Sequence, residues 1–263
     1  MNYDPMTRAR LADRFAVIAA EAGTRIMSIY GTASAEAKAD GSPLTQADLA
    51  AHDAILEGLT RVCPDLPVVS EEDAERLEAP PVGPFILVDP LDGTREFLSG
   101  NGEFTVNIAL IEGGAPVAGV VLAPALGRLW SGAVGAGARV RDVAVEADRP
   151  ISVRQPTDGS LVAVASRSHR DATTEAFLAG LSVAGLRSVG SSLKFCLIAE
   201  GEADVYPRFG PTMEWDTAAG QAVLEAAGGR VVTPEGAPFR YGKAGAAWRN
   251  GAFVAWGGAP RPG

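Results

Sequence analysis

The chain has 263 residues, 47% hydrophobic and 21% charged, enough for one large soluble domain or two modest ones. Its 32 Asp and Glu outnumber 23 Lys and Arg, and the net charge of −9 argues against nucleic-acid polymers and anionic membranes as main partners. Two cysteines, Cys63 and Cys196, lack metal-ligand spacing, and with only His52 and His169 available a histidine-rich zinc site is ruled out.

The opening MNYDPMTRAR lacks the apolar core of a signal peptide, and no apolar run reaches membrane-spanning length. No integral membrane segment is expected, and the expected location is the cytoplasm. Leu11, Phe15, Ile18, Ala22, Ile26 and Ile29 recur at helical spacing and predict a long amphipathic helix over 6–30. The polar stretch AEAKADGSPLTQAD follows, broken at Ser42-Pro43. A second helix is predicted over 45–62, with Leu49, Ile55, Leu56, Leu59 and Val62 on one side, Thr45 as N-cap and Asp48 three residues on.

Short apolar runs at 66–70 and 84–89 read as strands, each ending directly in acidic residues. FTVNIALI (104–111) and VAGVVLA (117–123) flank Glu112-Gly113-Gly114 and read as a hairpin, continued as a meander to about residue 141. GAVGAGAR (132–139) has no following Lys-Ser/Thr, so it reads as a turn and not a phosphate-binding loop. Strands and helices then alternate: strand 161–166, helix 173–185, strand 187–190, helix 191–202, strand 203–207, helix 215–229, then strands at 231–234 and 252–256. The pattern predicts an α+β chain of two joined parts: an N-terminal half, 1–145, and a more alternating C-terminal half, 146–263.

Acidic clusters stand at the ends of these elements: Asp40, Glu71-Glu72, Asp89 with Asp92, and Asp216. A carboxylate at a strand end is presented at the edge of the sheet, where sites form. A tight Pro90-Leu91 turn would aim Asp89 and Asp92 at one point and expose the Leu91 carbonyl beside them. With a Glu from a neighbouring strand end, this is an all-oxygen ligand set suited to Mg²⁺ or Mn²⁺. Gly93-Thr94 at a helix start adds outward N–H groups for a phosphate, and the Thr94 hydroxyl can hold a water with Asp40 accepting its proton. The chemistry implied is metal-assisted hydrolysis of a phosphate ester. Ordinary roles remain open for single residues: Glu71-Glu72 in a solvated turn, Asp40 as a turn residue, Asp216 as a helix cap. Two close carboxylates at a buried strand end, however, call for a counterion.

VDPLDGTREF (88–97) and WDTAAGQAVLEAAGG (215–229) resemble the two signatures of the inositol monophosphatase superfamily, and the likeness continues through KADGSPLTQAD (38–48), VVSEED (68–73) and ADVYPRFGPTMEWD (203–216). Within it, NGEFTVNIALI, SRSH and VGSSLKFCLIAEGEADVYPRFGPT are most similar to bacterial 3′(2′),5′-bisphosphate nucleotidases of the CysQ type, which convert adenosine 3′,5′-bisphosphate, a by-product of sulfate assimilation, to AMP and phosphate. Some of them accept the sulfated precursor. The resemblance implies a layered α-β-α-β-α sugar-phosphatase fold, two or three Mg²⁺ ions with Mn²⁺ as a substitute, and inhibition by Li⁺. It implies Glu71, Asp89 and the Leu91 carbonyl on the first ion and Asp89, Asp92 and Asp216 on the second. Thr94, backed by Asp40 and near Glu71, would orient the water. Gly93 and Thr94 amides would hold the scissile phosphate, and His169 and Lys194 would contact the nucleotide, with Asp216 beside it. A second substrate phosphate needs cations outside the metal centre, for which Lys194 and Arg208 are candidates. Alternatives on the same fold are an inositol-1-phosphate or fructose-1,6-bisphosphate phosphatase; a catalytically silent nucleotide or metal sensor is a third reading. Glu214 faces either solvent or a substrate hydroxyl.

Overall fold

The computed structural model describes residues 3–32, 35–37, 43–74, 77, 79–145, 147–156, 160–167 and 171–258. Helix α1 (Pro5–Ile29) starts where the Asp4 side chain accepts the Thr7 amide, with proline in the first turn, where its missing N–H is harmless. After a two-stranded ribbon, β1 (Ala35–Ala37) and β2 (Pro43–Thr45), comes α2 (Gln46–Val62), closed at its N-terminus by a reciprocal Thr45–Asp48 capping box. Its buried face is Ala47, Asp48, Ala51, Ala54, Ile55, Gly58 and Leu59, and Gly58, with no side chain, lets α2 lie close on Ile18 of α1. Leu49, expected on that face, is 46% exposed.

The larger sheet has seven strands in the order β3-β4-β5-β6-β7-β8-β9. These are β3 (Val68–Ser70), β4 (Phe85–Asp92), β5 (Thr105–Glu112), β6 (Ala115–Ala123), β7 (Arg128–Ala133), β8 (Gly137–Asp142) and β9 (Ala147–Ile151). Only β3–β4 is parallel; the rest is the expected meander, extended by β9. Strand β9 lies beyond the expected end of the meander at about 141, and its Pro150 is on the edge strand, where a missing N–H is tolerated. GAVGAGAR is the β7–β8 turn.

Short α3 (Thr94–Ser99) follows β4. The second sheet runs β11-β10-β12-β14-β13, from β10 (Leu161–Ser166), β11 (Val183–Val189), β12 (Val205–Arg208), β13 (Arg230–Val232) and β14 (Phe253–Trp256). Between these strands lie α4 (Ala172–Ala179), α5 (Leu193–Ala199) and α6 (Glu214–Ala226). Helix α4 ends at Gly180, so Val183–Gly185, expected as its continuation, belongs to β11.

Alternation along β4 shows how the layers form: Ile86 and Val88 face α1 and α2, while Phe85 and Leu87 face α5 and α6. The core around α5 and α6 is shared with Val164, Tyr206, Phe253 and Ala255 of the second sheet. On that sheet's other face, Leu178 of α4 packs with Ala163, Val205 and Val254. The result is the layered α-β-α-β-α architecture. One clamp ties α5 to the first sheet. The Glu200 carboxylate, 1% exposed, accepts from Trp130 Nε1 at 2.7 Å, Arg128 Nη2 at 2.7 Å, and Arg149.

Candidate active site

Strand β4 does not turn at Pro90-Leu91; it continues to Asp92 through a bulge between Asp89 and Asp92. A proline cannot donate to a sheet ladder, and a bulge is where a central strand tolerates one. The irregularity shifts Asp92 relative to Asp89 and closes with Leu91 N–H donating to Asp89 Oδ1 at 3.0 Å. The Leu91 side chain is buried in the core, which leaves its carbonyl for polar contacts.

Four acids approach one another here. Asp89 and Asp92 come from β4, Glu71 directly follows β3, and Asp216 is at the third position of α6. Glu71 N–H continues the β3–β4 pairing by donating to Val88 O at 3.1 Å. Burial pushes the Asp89 carboxyl well up, reinforced by the charges of Glu71, Asp92 and Asp216. Asp216 is likewise raised, by burial and then by Asp92. Asp92 is raised by burial, against the pull of Lys194. Asp92 Oδ2 accepts from Ser192 N–H at 2.7 Å and sits 3.5 Å from both Thr105 Oγ1 and Asn107 Nδ2. Asp216 Oδ2 accepts Met213 N–H at 2.8 Å and thus closes the helix as well as facing the other acids. Among the described residues no three acids, histidines or cysteines are drawn in around a single point at metal-binding distance. Asp89 and Glu71 instead share a side-chain hydrogen bond, and repulsion from the neighbouring carboxylates raises Asp89 and Asp216, a condition that a cation relieves.

Gly93 lies at φ +91°, a conformation open to glycine, and starts α3. The first helical bond is Phe97 N–H to Gly93 O, 2.9 Å, so the amides before it point out of the helix end. Thr94 Oγ1 lies 3.4 Å from Asp48 Oδ1 and 3.5 Å from Leu91 O. Asp48 is therefore the acid behind Thr94 among the described residues. Its other oxygen, Oδ2, accepts from Thr45 N–H at 2.7 Å and Thr45 Oγ1 at 2.6 Å. Asp48 had been read from the sequence only as a helix cap; its presence in the matched KADGSPLTQAD segment was the available signal. Asp40 and His169 lie outside the described residues.

The opposite wall is cationic. Lys194, 4% exposed, donates to Ser191 O at 2.6 Å and Val189 O at 3.1 Å, and its Nζ lies 5.2 Å from the centre of the Tyr206 ring. Burial pulls its pKa down to about 8, against the raising effect of Asp92. Arg208, 6% exposed, donates to Gly210 O at 3.2 Å and Pro211 O at 2.9 Å. Asp92, Thr94, Asp216, Ser191, Lys194 and Arg208 line one cleft of about 270 Å³, at the small end of small-molecule sites. Ser192, next to Ser191 and Lys194, ties the start of α5 to the acids: its N–H goes to Asp92 and its hydroxyl to Asp216 O at 2.7 Å. Glu214 turns away from the cleft. Fully buried, it accepts Gly242 N–H at 2.6 Å and pairs with Lys243, so it faces neither solvent nor the cleft.

The fold and the acid-lined cleft together define a class. The model of the inositol monophosphatase family matches residues 9–256, and the chain belongs to that family. It is 47% identical over 241 residues to the 3′(2′),5′-bisphosphate nucleotidase CysQ of Escherichia coli K12, covering 88% of this chain and 94% of that protein. The crystal structure of CysQ from Bacteroides thetaiotaomicron, a bacterial member of the inositol monophosphatase family, is 40% identical. It covers 96% of this chain and 98% of that one, with a TM-score of 0.79. An inositol monophosphatase from Anabaena is more distant: 26% identical, 95% and 91% covered, TM-score 0.75. No described helix is long and apolar enough to cross a membrane.

Proposed function

We propose that this protein is a Mg²⁺-dependent phosphatase that removes the 3′-phosphate of adenosine 3′,5′-bisphosphate, giving AMP and phosphate, and that it serves sulfate assimilation in the cytoplasm. The observation that carries the reading is the make-up of one small cleft: Asp92 and Asp216 of the acid cluster line it together with the buried cations Lys194 and Arg208. A substrate with one phosphate at the acids and a second on the cations matches that division, and the 47% identity to a bisphosphate nucleotidase supports it.

The donor set fits Mg²⁺: Glu71, Asp89, Asp92, Asp216 and the Leu91 carbonyl are hard oxygens, and the carboxylates' mutual repulsion is what a divalent cation would offset. Bound there, Mg²⁺ supplies positive charge for the phosphoryl oxygens and acidifies water. The protein's own groups do the rest. The amides at Gly93 and Thr94 receive the scissile phosphate. Thr94 holds the attacking water through its hydroxyl oxygen while its own proton rests on Asp48 Oδ1, so the water's proton has a path into that pair. Lys194 and Arg208 hold the second phosphate and fix which ester faces the acids. Asp216 contacts the substrate from the first turn of α6, and the family resemblance assigns His169 to the nucleotide.

Phosphate release from adenosine 3′,5′-bisphosphate, inositol 1-phosphate and fructose 1,6-bisphosphate, measured at one Mg²⁺ concentration, tests the reading. The nucleotide is expected to have much the largest kcat/KM. A large preference for either other ester replaces this reading with that one, and no turnover of any replaces it with a sensor.

A further inference from the structure

Glu103, just before β5, reaches across from the first half of the chain to the second. Its Oε2 accepts the Gly190 amide at 2.8 Å, and its Oε1 accepts Arg167 Nη2 at 2.8 Å; the same guanidinium donates to Ser188 O at 3.2 Å. The contact at Gly190 is close-packed: a Cβ there would sit 2.8 Å from Glu103 O and 2.9 Å from Glu96 Cγ. Gly190 opens the turn into α5, where Ser191 takes φ +44° and Ser192 N–H binds Asp92. Lys194 donates to Val189 O and Ser191 O, the carbonyls on either side of Gly190. The place of the ammonium is thus set by two carbonyls, and the place of those carbonyls by the amide that Glu103 grips. Among the described residues that line the cleft, Glu103 is not one.

We propose that Glu103 is a positioning residue for the cationic wall: by holding Gly190 it fixes how far Lys194 stands from the acids, and so selects substrates that carry a second phosphate. This rests on the bisphosphate reading above. It predicts an effect on discrimination and not on the chemical step, because the Glu103 carboxylate bonds to Gly190 and Arg167 and not to the acids or Thr94; only its backbone carbonyl, which the substitutions keep, packs near Gly93.

The test compares adenosine 3′,5′-bisphosphate with adenosine 3′-monophosphate, which shares the scissile ester and lacks the second phosphate. Loss of a hydrogen bond to a charged group is worth on the order of tenfold. Glu103→Ala is expected to raise KM for the bisphosphate by about tenfold with kcat within about threefold, and to move KM for the monophosphate by less than about twofold. Glu103→Gln, which keeps an oxygen acceptor for Gly190 N–H, is expected to restore most of the preference. Gly190→Ala, which forces the turn off Glu103, is expected to lose it, so this second pair carries the comparison even where the alanine variant folds poorly. A preference unchanged in Glu103→Ala and Gly190→Ala, or an equal fall for both nucleotides, overturns the proposal alone. Wild-type enzyme that does not distinguish the two nucleotides overturns the bisphosphate reading, and the proposal with it.

Discussion

Asp89 in the acid cluster and Lys194 in the cleft are both buried, yet they are held differently. Asp89 stands among other carboxylates, and burial and repulsion both raise its pKa. Lys194 stands among backbone carbonyls that accept its protons, with Asp92 as a favourable neighbour, and burial, helped by the Arg208 charge, brings it down to about 8. Both walls keep internal hydrogen-bond partners, but three other carboxylates press on Asp89 whereas Lys194 has acids among its neighbours. On the proposed function each wall would take its own ligand: a cation at the acids and a phosphate at Lys194 and Arg208.

Breaking the acidic wall should have the largest effect. Asp92→Asn is expected to lower phosphate release by on the order of 10²-fold or more, and equally low turnover in variant and wild type would instead favour a sensor. Thr94→Val and Asp48→Asn should each lower kcat by roughly 10- to 100-fold, and the double variant should fall little further, because the two act as one unit. Asp40→Asn made in parallel separates the two acids: a loss confined to Asp40 would return the role to the residue expected from the sequence. Mg²⁺ added to metal-free protein should raise Tm by roughly 5–10 °C near 100 times Kd, read by calorimetry, since it binds the folded acids and not the unfolded chain.

The cationic wall has a pH signature. A lysine with a lowered folded pKa leaves the unfolded chain holding more protons between about 8 and 10.5, so stability rises with pH across that window. Measured against Lys194→Met, wild type should gain up to about 3 kcal/mol over that range, and a flat difference would count against the buried ammonium. The same variant should raise KM for the bisphosphate roughly tenfold. Smallest in turnover is Glu214→Gln: kcat is expected to stay within about twofold while stability drops by about 1–2 kcal/mol, because the side chain anchors Gly242 and Lys243 and does not touch substrate.

Most helices and strands were legible because period and capping are local. Thr45 and Asp48 announced α2, and the apolar runs of β5 and β6 announced their hairpin. Where local signals misled, a non-local contact decided. Leu49 falls outside the buried face of α2, which turns Ala47, Ala51, Ile55, Gly58 and Leu59 inward and leaves Leu49 46% exposed. The strand β9 lies past the expected end of the meander and is fixed by its pairing with β8. In the site, the acids of β4 were readable from their spacing, but the meeting of Asp48 with Thr94 joins residues 46 positions apart, and the cap gave Asp48 a sufficient local reason to exist. Glu214 kept two readings open because its partner Lys243 lies in a loop with no periodic pattern.

Helix α5 is fastened at both ends to the first sheet: at its start through Ser192 and Asp92, and just past its end through Glu200 to Trp130, Arg128 and Arg149. Its seven residues span about 10 Å and serve as a fixed gauge between the sheets. On the proposed function, a cleft gauged in this way would measure the span between its ligand's phosphates. Two esters that differ only in that separation would meet one set distance, and the one that matches it would be retained.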